Sequence, residues 1–113
     1  MRRIEIKRFT IPLIEKNFFI YSGKDEWERF RKITIKEGAD EELTSPCPKK
    51  GSGRCFGGHI WVFTLKDKRI LIHELSHLLD DIMLTIGSED TEFRAYLTEW
   101  IMFKVLEWRE KNG

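Results

Sequence analysis

Ile70-Leu71-Ile72-His73-Glu74-Leu75-Ser76-His77-Leu78-Leu79 decides how this chain is read. Two histidines stand four residues apart inside an apolar run, with a glutamate directly after the first. A helix advances ~100° per residue, so His73 and His77 differ by only ~40° and lie one turn apart on one face. Ile70, Leu71, Leu75, Leu78, Ile82 and Ile86 recur at helical spacing, and no proline interrupts them. The helix is therefore expected to be buried along most of its length. Two imidazoles at this spacing can hold one metal ion, and Glu74 beside them can reach a water on that metal. A buried histidine or glutamate without a partner costs about 1–3 kcal/mol, and a metal supplies the partner. The competing reading is a structural helix with two half-exposed histidines and a surface glutamate. The uncharged context places the metal reading above it.

A catalytic zinc keeps three protein ligands and one open position. Asp81 lies on the same face but ~12 Å of helix rise from His73, too far to converge with both histidines, so Asp80 and Asp81 are expected to be solvated or to act behind the ligands. Ile86-Gly87-Ser88 reads as a helix end, with Gly87 in the left-handed position and Ser88 or Asp90 capping a second helix from about Glu89 to Glu110. So short a turn makes the two helices antiparallel neighbours. Glu92, in the first turn of the second helix, is the expected third ligand, with Glu99 in reserve. Ala95 would let the helices approach, and Tyr96 would hydrogen-bond a reacting oxyanion or the ligand shell.

His73-Glu74-Leu75-Ser76-His77 followed by Glu92-Phe93-Arg94-Ala95-Tyr96 resembles the zincin metallopeptidases of the gluzincin type, above all the very small single-domain zincin-like proteins of phages and prophages. The resemblance covers roughly residues 57–103. It implies a zinc ion (Zn2+) held by His73, His77 and Glu92, with Glu74 as general base. It also implies an edge strand beside the metal helix to which an extended peptide adds by backbone hydrogen bonds. The run His59-Ile60-Trp61 would then bind substrate, and Gly57 and Gly58 would admit its backbone; an interior strand without such a role is the competing reading.

Around this motif, residues 3–9 alternate as a half-buried strand and residues 17–21 form a second. Residues 25–36 read as a helix with Trp27, Phe30 and Ile33 on one face. Residues 38–58 read as a polar loop, and residues 59–65 as a strand with Ile60, Val62 and Thr64 on one side and Trp61, Phe63 and Leu65 on the other. The expected architecture is α+β: one small zincin-like domain over residues 1–113, a short mixed or antiparallel sheet packed on the metal helix and on a long C-terminal helix. That last helix is apolar nearly all round, so a second buried face would pack on the N-terminal strands or on a second copy of the chain.

Formal net charge is +1 over 113 residues, which argues against a nucleic-acid partner. Lys49, Lys50 and Arg54 read as a solvated loop tip. Residues 1–5 read as the approach to a strand rather than a secretory leader, and no segment reaches the ~20 apolar residues of a membrane span. A soluble, cytoplasmic protein is expected. Cys47 and Cys55 are read first as free thiols, next as a loop-closing disulfide, and last as part of a second metal site with His59. Function is therefore expected to be zinc-dependent hydrolysis of a protein or peptide. The alternative is a zinc-binding interaction or assembly module of phage or mobile-element type that does not cleave.

Overall fold

Alternating side chains in the N-terminal segment build the first hairpin. The computed structural model describes residues 6–12, 14–39 and 46–112. Strands β1 (Ile6–Ile11) and β2 (Lys16–Ser22) pair antiparallel, with Phe9 opposite Phe18 and their rings stacked 4.9 Å apart. The first strand thus runs two residues past its expected end at Phe9, while residues 3–5 of that expectation lie outside the described ones. Helix α1 (Lys24–Lys36) follows, then β3 (Gly53–Phe56), β4 (His59–Val62), α2 (Lys68–Ile86) and α3 (Thr91–Asn112). The sheet order is β1-β2-β4-β3; β2 and β4 are parallel and the other pairs antiparallel. A parallel pair needs a long crossover, and α1 with the segment after it supplies one. The fold is α+β with a mixed sheet.

The central strands β2 and β4 are covered on both faces. Phe18, Ile20, Ile60 and Val62 join Leu71, Leu75, Leu78, Leu97, Ile101 and Val105 in one core under α2 and α3. Tyr21 and Trp61 point the other way and pack with Trp27 and Phe30 of α1. All four residues of β4 are consequently buried. Among them His59 is fully partnered: Nδ1 lies 2.8 Å from the Tyr21 hydroxyl and Nε2 3.1 Å from Glu37, and its ring stacks on Phe19. Burial, with Glu37 nearby, pushes the Tyr21 hydroxyl up to about 12, so it keeps its proton. Trp61 donates its indole N–H to the Gly23 carbonyl at 2.8 Å. The alternation expected through residue 65 stops after Phe63, because Leu65 turns back into the α2–α3 core.

Local chemistry fixes the α2–α3 corner. Asp67 caps α2 by accepting from the Ile70 N–H. At the other end Gly87 adopts φ 69°, and the N–H groups of Gly87 and Ser88 return to the carbonyls of Leu84 and Met83. Asp90 then accepts from the N–H groups of Glu92 and Phe93 and starts α3. Arg94 meets Asp80 at 2.7 Å, and Arg109 donates to the carbonyls of Leu65 and Lys66, so α3 returns antiparallel along α2. Helix α3 buries one stripe, Leu97, Ile101 and Val105, and leaves Phe103 63% exposed. Cys47 and Cys55 are free thiols that pack on opposite sides of the sheet, Cys47 with the α1 layer and Cys55 with the α2 layer. Among the described residues no helix is long and apolar enough to cross a membrane.

Because a left-handed glycine ends α2, Gly87→Ala is expected to lower unfolding stability by about 1 kcal/mol. Urea unfolding measures this, and an unchanged midpoint would show that Gly87 contributes nothing to the corner.

Candidate metal centre and its cleft

Helix α2 is rolled so that its motif is divided between core and solvent. Leu71, Leu75, Leu78 and Leu79 enter the core, which leaves His73 and His77 exposed and puts Glu74 on the boundary, buried at 6% exposure. The two imidazoles turn toward each other with Nε2 atoms 3.2 Å apart and rings nearly perpendicular at 84°. Two nitrogens bound to tetrahedral zinc at ~2.0–2.1 Å are separated by about 3.3 Å. The spacing thus fits two ligands of one ion; it also fits an N–H···N hydrogen bond between the rings.

A cleft of about 660 Å³ opens beside them, lined by His73, Glu74, His77 and Asp81 from α2 and by residues 53–57 of β3 and its turn. β3 is a free edge of the sheet among the described strands, and it comes very close to α2. A Cβ on Gly53 would lie 2.7 Å from Ile70 Cγ2 and 2.9 Å from Glu74 Cγ, so only glycine lets the strand close over Glu74. No described group hydrogen-bonds to the Glu74 carboxylate, which faces the cleft. Burial raises its pKa above the ordinary carboxylate range, against the opposing pull of His73, His77 and Arg54. A raised carboxylate in a cleft suits proton transfer.

The other expected site residues are placed differently. β4 is paired on both sides, so His59, Ile60 and Trp61 have no free backbone edge and are buried; β3 occupies the edge position instead. Gly57 and Gly58 form the two-residue β3–β4 turn; Gly57 lines the cleft, and Gly58 approaches the Asn17 carbonyl and lines a smaller hollow beside Asp81. Glu92, Tyr96 and Glu99 are exposed on α3 and lie outside the cleft. Glu92 stands nine residues, ~180° of helix, from the buried Ile101, so the packing that seats α3 turns Glu92 outward. Among the described residues no group of three His, Cys, Asp or Glu side chains is placed to hold a metal. Asp80 is engaged with Arg94, whereas Asp81 shares the cleft with both histidines.

Two cleft residues were not expected. Arg54 sits on β3 and brings a cation to the cleft wall, while Lys49 and Lys50 are exposed as anticipated. Cys55 also lines it; burial, then Glu74 and Asp81, pushes its thiol up to about 12, so in the metal-free protein it keeps its proton. The signal for β3 was present in the Gly57-Gly58 pair, a two-residue hairpin turn leading into a clear strand. Compared with known proteins, the chain matches no family model, no curated protein and no solved structure.

The raised pKa has a consequence for stability. Native Glu74 holds its proton more tightly than the unfolded chain does, so its ionisation subtracts stability as pH rises above about 4.5. Metal-free Glu74→Gln is therefore expected to melt at or above the wild-type temperature at pH 7, with the gap narrowing toward pH 4.5. A lower melting temperature at pH 7 would mean that the charged carboxylate stabilises the fold.

Proposed function

We propose that the chain is a zinc-dependent hydrolase acting on protein or peptide, with His73 and His77 as metal ligands and Glu74 as general base. The observation that carries this reading is the pair of Nε2 atoms 3.2 Å apart on the rim of a cleft that the carboxylate of the largely buried Glu74 also faces. Zinc bound there supplies Lewis-acid activation of water and of a substrate carbonyl. Glu74 takes the proton from the attacking water and returns it to the leaving nitrogen. The free edge of β3 offers backbone hydrogen bonds to an extended segment and so aligns its carbonyls along the cleft. Arg54, on the same wall, favours negative charge developing on the substrate.

Two imidazoles are an incomplete ligand set. Glu92 is the proposed third donor, on the resemblance of its segment to the gluzincin ligand helix; among the described residues its carboxylate has no other partner. Its outward position favours a second reading, a zinc-binding interaction module that does not cleave.

Elemental analysis and peptide-library hydrolysis on the same samples separate these readings. Wild type is expected to carry about one zinc per chain and to cleave, Glu74→Gln to keep the zinc and lose at least about a hundredfold in rate, and Glu92→Ala to lose zinc. Zinc retained in wild type with no cleavage of any peptide would favour the module, and full activity in Glu74→Gln would remove the base from the mechanism.

A further inference from the structure

The sheet has a second free edge. β3 borders the candidate metal cleft, and β1 lies at the opposite side, unpaired along its outer edge among the described strands. Between β1 and α3 runs a groove of about 340 Å³. Its walls carry Lys7 and Arg8 from β1 and Lys104 and Lys111 from α3, against the single carboxylate of Glu107. A chain with 20 cationic and 19 anionic side chains thus sets three cations, Lys7, Lys104 and Lys111, and one anion along this groove, with Arg8 on the alternate face of the strand that borders it. Among the described residues none of the four cations has an ion-pair partner.

The floor is aromatic. Trp100 and Trp108 of α3 line the groove, and Trp108 meets Phe9 of β1 edge-on, ring centroids 5.8 Å apart. Positions 100, 104, 108 and 111 fall within ~80° of one helix face, so the two tryptophans and two lysines form one continuous stripe. Cations on an edge strand commonly serve to repel other strands, which accounts for Lys7 and Arg8. It does not account for Lys104, Lys111 and two half-buried tryptophans on the facing helix.

We propose that this groove binds an extended acidic peptide segment as an added strand on β1. The free edge supplies backbone donors and acceptors at strand spacing, which a polypeptide uses and a nucleic acid does not. On the α3 side, apolar side chains of the segment rest on Trp100, Trp108 and Phe9, and its carboxylates meet Lys7, Lys104 and Lys111. Arg8 projects to the other face of the strand and meets a carboxylate of the alternate register. The site lies across the sheet from His73 and His77 and needs no metal.

Tryptophan fluorescence tests it directly on the full chain, because Trp27 and Trp61 are buried on the far side of the sheet and give a constant background. The probe is a short peptide alternating glutamate with valine; the controls are the same peptide with glutamine for glutamate and a thymidine oligonucleotide. Saturable change is expected with the acidic peptide, weakened about tenfold or more by the glutamine peptide, by high salt, and by combined Lys104→Glu and Lys111→Glu. Thermal unfolding of that double variant, with both substitutions at exposed positions, confirms that it is folded. No saturable change, or binding unaffected by the charge reversal, would overturn the proposal. Binding of the oligonucleotide but not of the peptide would overturn it in favour of a nucleic-acid groove.

Discussion

The roll of α2 against the sheet is the constraint on which the rest depends. Leu71, Leu75 and Leu78 must enter the core beneath Ile20, Ile60 and Val62, and each such burial is worth about 1.5–3 kcal/mol. Once that stripe is buried, the helical period leaves no freedom to the remaining positions. His73 and His77 emerge together at the surface, and Glu74 is caught at the margin, under the edge strand. Gly53 completes the arrangement, since any larger residue would hold β3 away from the carboxylate. The polar constellation is thus held by apolar packing, and its geometry is set before any ligand arrives.

That placement has an energetic cost. A carboxylate with 6% exposure and no described hydrogen-bond partner is held against the preference of its charged form for water. The contrast with His59 is instructive. It is equally buried, but Tyr21 and Glu37 bracket both ring nitrogens, so His59 is a satisfied core histidine that ties the end of α1 to β4. Of the three histidines in the chain, one is consumed by the fold and two face solvent side by side.

Much of this was legible in the sequence. The apolar period around residues 70–86, the left-handed Gly87 and the Asp90 cap are local signals, and local signals survive folding unchanged. β3 was legible only through the Gly57-Gly58 turn after it, because Gly53-Arg54-Cys55-Phe56 lacks the β-branched residues and alternation of a strand; its pairing with β4 supplies what its own composition does not. That missing strand displaced the expected edge by one and made His59, Ile60 and Trp61 interior. The outward orientation of Glu92 was not legible for a different reason. Its place in the first turn of α3 is local, but the rotation of α3 about its axis follows from Leu97, Ile101 and Val105 meeting the core, which is a tertiary matter.

Whether His73 and His77 are a ligand pair or merely bonded to each other is the point on which the functional reading turns. Imidazole nitrogen NMR during addition of zinc to metal-free protein answers it most directly. If they are a ligand pair, the Nε2 resonances of both histidines move together and saturate at about one zinc per chain, while His59 stays unchanged. Nε2 signals that ignore zinc and retain the signature of an N–H···N bond between the two rings would contradict it.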